Sequence, residues 1–396
     1  MKKTLFLIPT LLLSLSPHPA PAAEVLSANL QNTVEYLASP KVGGRNPMSR
    51  GHRMTQQFIQ GKLAEYGYTS LILNAPSLQP WKGPIENIVT IKPSKNWADR
   101  CVVFAAHYDH NPPMGGKYSP GANDNATGVA ALLELARNVQ EEKLEFDADV
   151  YFVFPDQEEN FVQGSPFIAD IVANKCKKVL FSVTLDLVGV PFFSGFENHL
   201  LTLGAESSPD LHRIVKQTNK NPGSPLKAID GQIFLIEPAG IPRSDYSSFR
   251  GANIPFVFLT AGMPATYHTP MDKPELIDYR LLGSVTQWMK SLLINYQQSS
   301  AGKEFRFLDD PYANLYEQGI RVAEIMELML SRPQDNGLTE DDIAWLVGKI
   351  GEYRALTNRP SRLSLQWSII EVIRIVSRQS PMPSAYLRSI IGKIFN

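Results

Sequence analysis

The chain has 396 residues, of which 43% are hydrophobic and 19% are charged, with 38 Lys and Arg against 39 Asp and Glu. This apolar content is too high for a disordered chain, and a net charge of −1 lacks the basic excess that is usual in nucleic-acid-binding proteins. Two cysteines are too few for a disulfide-rich scaffold or a four-thiolate zinc site. The length suggests one large domain with a smaller one, or two domains.

The first 23 residues have the pattern of a secretory signal peptide. Lys2 and Lys3 precede a largely apolar run at residues 4–16, and Ala20-Pro21-Ala22 follows with small residues. The run of about 13 residues is shorter than the roughly 20 that a membrane-spanning helix needs. We therefore expect an exported protein, periplasmic or extracellular, without a membrane span. Export permits a disulfide between Cys101 and Cys176, although two small buried thiols are an equal alternative.

Between about residues 28 and 300, predicted strands and helices alternate. Helices are predicted at residues 56–66, 127–139, 164–173, 209–218 and 279–296. Strands are predicted at residues 70–73, 87–91, 101–106, 148–154, 179–187, 200–203, 233–236 and 254–259. This alternation is typical of an α/β fold, with a mostly parallel, twisted sheet covered by helices on both faces. In such folds a ligand binds beyond the carboxyl ends of the strands.

After residue 300 the pattern becomes all-helical. Amphipathic helices are predicted at residues 312–330, 340–356, 363–376 and 384–395. We expect a main domain at residues 24–300 and a helical C-terminal extension at residues 301–396. The extension could cover the main domain, form a dimer interface or narrow a cleft, and extra packing without a separate role is an equal alternative.

Acidic and imidazole side chains follow three of the predicted strands. The set at the strand ends and in two adjoining loops is His107, Asp124, Glu158, Glu159, Asp186 and His268. So many carboxylates in one cleft would be costly without partners, because like charges repel and each loses its hydration. Divalent cations remove that cost. A His and carboxylate mixture without thiolates suits zinc, with manganese or cobalt as weaker alternatives.

Each residue of this set also has an ordinary structural interpretation. Asp124 is placed to cap a helix, and Glu158 with Glu159 resembles a common acidic helix start. A buried Asp186 is harder to explain without a cation, because an uncompensated buried carboxylate is expensive. Taken together at consecutive strand ends, the six residues predict a shared metal site.

The order of these segments resembles the exported co-catalytic zinc aminopeptidase family, which includes leucyl aminopeptidases, aminopeptidase Y and, more remotely, glutaminyl cyclases. The resemblance covers about residues 28–300. It rests on Gly44-Arg45, Glu86-Asn87-Ile88-Val89, HYDH at 107–110, GANDNATGVA at 121–130, EENFVQGS at 158–165, LDL at 185–187, SDYSSF at 244–249 and YHTPMD at 267–272.

The resemblance implies two zinc ions and a role for each residue. One metal is held by His107 and Asp186. The other metal is held by Glu159 and His268, and Asp124 bridges the two. Glu158 is implied as the general base and Asp109 as the residue that orients His107.

The implied reaction is hydrolysis of N-terminal peptide bonds. The metals polarise the scissile carbonyl and lower the pKa of a shared water. Glu158 takes the proton of that water and passes it to the leaving amine. The substrates are peptides with a free N-terminus, and the oligomeric state stays open.

Substrate contacts are less clear from the sequence. Family members often have Ser-Asp-His where this chain has Ser244-Asp245-Tyr246. The Tyr246 hydroxyl could bond near a substrate carbonyl, although packing is slightly favoured. Arg243 could bind a substrate carboxylate or face solvent.

The closest rival function is that of a glutaminyl-peptide cyclotransferase with a single zinc. Cyclases usually carry a longer insertion after the two glutamates, whereas Glu159 here precedes Gly164 by only a short loop. That shortness favours a peptidase. A carboxypeptidase, a dipeptidase and a non-catalytic binding protein remain further alternatives.

Overall fold

The computed structural model describes residues 21–79, 81, 83–96, 99–113, 116–221, 223–300, 303–308 and 314–380. Its helices are α1 (Pro21–Leu37), α2 (Arg50–Glu65), α3 (Thr127–Glu141), α4 (Gly164–Lys175), α5 (Pro209–Asn219), α6 (Tyr246–Gly251), α7 (Tyr279–Ser300), α8 (Leu315–Leu330), α9 (Glu340–Ala355) and α10 (Arg362–Ser377). Its strands are β1 (Ser70–Ala75), β2 (Ile85–Lys92), β3 (Arg100–Ala105), β4 (Asp149–Phe154), β5 (Lys178–Leu185), β6 (His199–Leu203), β7 (Lys227–Gly231) and β8 (Phe256–Thr260).

Within these residues the eight strands form one mixed sheet in the order β1-β2-β4-β3-β5-β8-β6-β7. The central strands β4, β3, β5 and β8 run parallel, as do β6 and β7. In the described part of the chain, the antiparallel pairs are β1 with β2, β2 with β4, and β6 with β8. The predicted α/β fold is confirmed, with a parallel centre and antiparallel pairings nearer the edges.

The central strands are apolar on both sides because helices cover both faces of the sheet. On β3, Val102 and Phe104 pack in the core that includes residues of α1, α3 and α7. The alternate residues Val103 and Ala105 pack on the opposite face, against residues of α4. The continuous apolar run thus divides between two cores, as the alternation of side chains along a strand requires.

The predicted strand at residues 233–236 is wrong. Ile233–Ile236 form a short 3-10 turn, and the edge strand is instead β7, which ends at Gly231. β7 pairs in parallel with β6, and the chain then leaves the ladder. The backbone N–H of Ile233 donates to the Glu206 carboxylate at 2.8 Å rather than to a strand. Tertiary contacts therefore override the β propensity of this apolar run.

The helical C-terminal region is confirmed in α8, α9 and α10, and the fourth predicted helix, at residues 384–395, lies outside the described residues. Residues of α8 and α10 share one hydrophobic core with β6, β7 and β8. The Gln366 side-chain amide donates to the carbonyls of Phe234 and Glu237 at 2.8 and 2.9 Å. The extension therefore closes the face of this half of the sheet.

Cys101 and Cys176 form a disulfide, with their Cα atoms 6.1 Å apart. It joins the start of β3 to the residue after α4, at the amino ends of the parallel strands, whereas the predicted metal site lies at their carboxyl ends. Among the described residues, none of the helices combines the length and the apolar character that crossing a bilayer requires. The predicted signal segment falls almost wholly at residues 1–20, outside the described part of the chain.

Candidate metal centre

The site lies where three adjacent parallel strands end. β3 leads to His107 and Asp109, β4 leads to Glu158 and Glu159, and β5 leads to Asp186. β3 lies between β4 and β5 in the sheet. Because carboxyl ends of parallel strands meet at one edge, short segments bring side chains that are far apart in the sequence into one cleft.

One group of possible ligands consists of His107, Asp124 and Asp186. The His107 Nε2 atom lies 3.5 Å from Asp124 Oδ1 and 3.6 Å from Asp186 Oδ1. One ligand atom from each residue lies within 4.8 Å of the others, and all three residues are buried. These spacings leave room for one cation between the three atoms.

A second group surrounds the other oxygen of Asp124. The His268 Nε2 atom lies 2.9 Å from Asp124 Oδ2 and 3.1 Å from Glu159 Oε2. His110 approaches from another side, with its Nδ1 atom 3.0 Å from Glu159 Oε1. Asp124 therefore belongs to both groups, one through each carboxylate oxygen.

Asp109 ties the two strand ends together. Its Oδ1 atom lies 3.5 Å from His107 Nδ1 and accepts the backbone N–H of Glu158 at 3.0 Å. Its Oδ2 atom accepts the N–H of Glu159 at 3.3 Å. One fully buried carboxylate thus orients the His107 ring and the two glutamates. A carboxylate behind a ligand histidine fixes the orientation of its ring.

The loop that carries Asp124 is held by a second carboxylate. Asp272 accepts the backbone N–H groups of Asn123 and Asp124 at 2.8 and 3.0 Å. The Asn123 side chain in turn accepts the N–H groups of Gly189 and Val190, just beyond the end of β5. The loop is therefore fixed to segments on both sides of the cleft.

Arg45 supports the same loop from below and is fully buried. Its guanidinium donates to the carbonyls of Tyr108 at 3.0 Å, Pro120 at 2.7 Å, Gly121 at 2.8 Å and Asp124 at 3.1 Å. Burial lowers the pKa of Arg45, and Asp124 is the largest opposing influence. The planar fork of arginine suits several acceptors at fixed angles, which a lysine cannot match.

Gly121 permits the close approach of this loop. Its φ is +59°, and a Cβ atom there would lie 2.4 Å from the Asp124 carbonyl oxygen and 2.6 Å from the His110 ring. Any side chain at this position would therefore displace Asp124 or His110. The glycine that begins the GANDN segment is required by space as well as by its backbone conformation.

The site has a strong negative potential. Burial by itself lowers the pKa of His268, but the Glu159 and Asp124 carboxylates raise it to about 9. The pKa of His107 is likewise raised well above its usual value despite burial, because the Asp109 and Asp186 carboxylates lie next to the ring. A field that favours protons on buried imidazoles also favours a divalent cation between them.

The model of Peptidase family M28 matches residues 87–293, which is more than half of the 396 residues. The chain belongs to Peptidase family M28. The matched segment contains every residue of the two ligand groups, together with Asp109 and Glu158. It ends before the helical extension.

Aminopeptidase YwaD of Bacillus subtilis (strain 168) is 30% identical over 200 residues, which are 48% of this chain and 40% of YwaD. The chain thus spans about two fifths of that relative's length. Two solved Bacteroides thetaiotaomicron structures, a leucine aminopeptidase precursor and a glutaminyl cyclase, are each 22% identical. Each comparison covers 69% of this chain and 97% of that structure, with a TM-score of 0.56. At this identity the likeness shows the M28 fold alone.

The residues present in this M28 chain include two groups of side chains that can hold a metal ion. Among the described residues, the buried His107 Nε2 and Asp186 Oδ1 atoms have no hydrogen-bond partner, and they lie 3.6 Å apart. Buried polar groups normally have partners. A bound cation would be the missing partner of these two atoms. Neutral imidazole nitrogens and carboxylate oxygens without thiolates are the donor set of catalytic zinc sites.

The two residues considered for substrate contact, Tyr246 and Arg243, have different surroundings. Tyr246 is fully buried, its hydroxyl donating to Glu237 at 2.9 Å and accepting the Arg243 backbone N–H at 3.0 Å. Both bonds of this hydroxyl are made within the protein, as the slightly favoured packing alternative requires, and its contact with a substrate stays a prediction. Arg243 lines a cavity beside Asp186, and its Nε donates to the Ile236 carbonyl at 3.1 Å. Burial lowers the pKa of its guanidinium.

Sequence reasoning did not predict which backbone groups Arg45 and Asp272 bond around the Asp124 loop, or that Asp245 is buried. Burial, only partly offset by His107, raises the pKa of the Asp245 carboxyl to about 7. All three are polar residues within the recognised motifs. The bonds of Arg45 and Asp272 depend on folding, and no spacing rule predicts them.

Proposed function

We propose that this protein is an exported metallo-aminopeptidase that binds two zinc ions and hydrolyses N-terminal peptide bonds. The observation that carries the proposal is the shared carboxylate of Asp124, which lies 3.5 Å from His107 through one oxygen and 2.9 Å from His268 through the other. Two cations bridged by a carboxylate are the arrangement that activates water in two-metal hydrolases.

In this proposal His107 and Asp186 would hold one zinc, Glu159 and His268 would hold the other, and Asp124 would serve as a ligand to both. Zinc supplies Lewis acidity, which polarises a carbonyl group and lowers the pKa of water. The position of His110 beside Glu159 supports a further role in orienting that carboxylate.

Glu158 acts as the general base. Its side chain is buried, and its backbone N–H donates to Asp109, so the backbone that carries the carboxylate is held at the site. It accepts a proton from the attacking water and then donates that proton to the leaving amine. Glu158 and Glu159 are adjacent in sequence, so one can hold metal while its neighbour moves the proton.

The carboxylates of the site support a preference for a free α-amino group. A protonated or partly protonated amine next to the scissile bond interacts favourably with Asp and Glu carboxylates. An acetylated amine carries no charge and lacks that interaction. This difference separates an exopeptidase from an endopeptidase.

The test combines metal analysis with a substrate panel on the full-length protein. We expect close to two zinc ions per chain and cleavage of aminoacyl-nitroanilides with a free amine. The N-acetylated forms of the same compounds should be cleaved at least about 100-fold more slowly. Equal cleavage of free and acetylated compounds would contradict the proposal.

A glutaminyl-peptide cyclotransferase is the second candidate, because a glutaminyl cyclase has the same fold over 97% of its length. A cyclase of this kind would bind one zinc and release ammonia from an N-terminal glutamine peptide. The same samples decide between the two, since pyroglutamate formation without nitroanilide cleavage would favour the cyclase.

Export is part of the proposal. It is supported by the signal-like composition of residues 1–23 and by the Cys101–Cys176 disulfide, which is typical of oxidising compartments. Fractionation of expressing cells and N-terminal sequencing of the mature protein test it. A protein retained in the cytosol with its first residues intact would contradict export.

A further inference from the structure

An apolar cavity opens directly beside the candidate metal centre. Its volume is about 120 Å³, and Asp186 lies in its wall. Leu187 and Tyr267, the chain neighbours of Asp186 and His268, line it on the side of the metal centre. Deeper in, its walls are apolar side chains of β6, β7 and β8, such as Leu201 and Phe258.

The opposite wall comes from the C-terminal extension. Ile325 of α8 and Ile369, Ile370 and Ile373 of α10 line the cavity. Ile373 also packs against the cluster formed by Leu187 and Tyr267. These helices lie beyond residue 293, where the match to the M28 family model ends. The extension thus contacts the residues that directly follow Asp186 and precede His268 in the sequence.

This wall is fixed in position by polar contacts. Gln366 of α10 bonds to two carbonyls at residues 234 and 237, and Gln318 of α8 accepts the Gln232 N–H at 2.8 Å. Ile369 is only 6% exposed and belongs to the core shared with the sheet. The cavity is therefore bounded on both sides by packed, buried elements.

We propose that helices α8 and α10 of the extension form the specificity wall for the N-terminal residue of the substrate, and that this cavity takes a leucine- or phenylalanine-sized apolar side chain. The inference rests on the proposed aminopeptidase function. The residue whose amine and carbonyl both reach the metal centre is the first residue, so its side chain must leave from beside Asp186. The cavity begins at that point.

Size and charge support one apolar side chain. A cavity of roughly 150 Å³ lined by Leu, Ile and Phe binds benzene in another protein, so about 120 Å³ holds a side chain of leucine or phenyl size. The charged residues that line it are Arg243, Arg321 and Asp186, and Asp186 is also a candidate metal ligand. The two arginines disfavour a lysine or arginine side chain in the same space.

The test compares amino acid hydroxamates on the zinc-loaded, full-length protein by calorimetry. In the wild type we expect leucine hydroxamate to bind at least about tenfold more tightly than alanine hydroxamate, and lysine hydroxamate to bind no better than alanine hydroxamate. Ile373→Phe should reduce the leucine-to-alanine ratio about tenfold while affinity for alanine hydroxamate changes less than about twofold. Ile373→Ala should raise the phenylalanine-to-leucine ratio about threefold.

Leu363→Phe and Leu363→Ala are matched controls, because Leu363 lies on the same helix and is 62% exposed. They should leave every ratio unchanged. Ratios in both Ile373 variants equal to wild type would overturn the proposal, as would changes confined to the second residue of dipeptide amides. If the ratios shift but no nitroanilide or peptide is cleaved, the specificity wall stands and the proposed peptidase function fails.

Discussion

The metal centre and the cavity beside it are built on opposite principles. The metal centre concentrates buried charged groups at the ends of β3, β4 and β5, and Arg45, Asp109 and Asp272 bond to backbone groups around it. The cavity is apolar and is closed by helices from the last quarter of the chain. Under the proposed function, the catalytic residues therefore lie on short polar loops, whereas the surface that selects the substrate is completed by helices distant in the sequence.

The largest expected effect is on the polar side of this comparison. Glu158→Gln removes the base but keeps the shape, so turnover of a leucyl-nitroanilide should fall about 10³-fold. Zinc content should stay at the wild-type value, because Glu158 is not assigned as a ligand. Glu65→Gln, at an exposed site on α2, is the control. Near-normal turnover in Glu158→Gln would remove Glu158 from its role.

How far the sequence predicts each region follows from the same contrast. His107, Asp124, Glu158, Glu159 and Asp186 were predictable as neighbours because each adjoins a strong strand or helix start, and parallel strands end together. The cavity was not predictable. Ile325, Ile369 and Ile373 have the helical spacing of ordinary core residues, and nothing in that spacing names the partner surface.

The wrong strand prediction at residues 233–236 also arises because local sequence does not identify distant partners. Local composition predicts a strand there, but Gly231 ends β7 and the next residues bond to Glu206 and Gln318. Both partners are distant in sequence. Periodicity detects which residues are buried but does not detect which long-range hydrogen bonds replace the ladder of a sheet.

The second prediction concerns the scaffold under the metal centre. Arg45→Lys keeps the charge but leaves several buried carbonyls without donors, so the free energy of unfolding should fall by about 3 kcal/mol. Zinc affinity should fall at least about tenfold, because the loop carrying Asp124 loses its support. Denaturant unfolding and competition with a chelator measure the two effects.

Arg53→Lys is the matched control for this substitution, since Arg53 also donates to a carbonyl but is exposed. It should change stability by less than about 0.5 kcal/mol. If Arg45→Lys had an effect as small as that of the control, the buried arginine would not be what holds the Asp124 loop.

The third prediction concerns the Glu206 carboxyl group, which accepts the backbone N–H of Ile233 near β7. Burial raises the pKa of Glu206 to about 7 in the folded protein, from 4.5 in the unfolded chain. A raised carboxyl pKa gives stability that is complete below about pH 4.5 and is lost as the pH rises through about 7. Between pH 5 and pH 8 the wild type should lose at most about 3 kcal/mol more than Glu206→Gln.

Urea unfolding of both proteins across that pH range measures the difference. Glu275→Gln, at an exposed site, should follow the wild type and serves as the control. Parallel curves for wild type and Glu206→Gln would mean that the carboxyl group titrates normally. The outcome also shows whether the contact of Glu206 with Ile233 survives ionisation.

The smallest effect is expected where the extension joins the sheet. Gln366→Leu removes the donor to two carbonyls, at residues 234 and 237, but keeps the apolar volume at that position. Part of each lost bond is replaced by water because Gln366 is only half-buried, so the free energy of unfolding should fall by about 1 to 2 kcal/mol. Gln57→Leu, on the exposed face of α2, should have no such cost. Hydrogen exchange then shows where the structure is loosened. Faster exchange in α10, with unchanged exchange around the metal centre, would mean that the specificity wall opens while the loops of the metal centre stay folded. Equal acceleration in β3 to β5 would show that the two regions unfold as one unit.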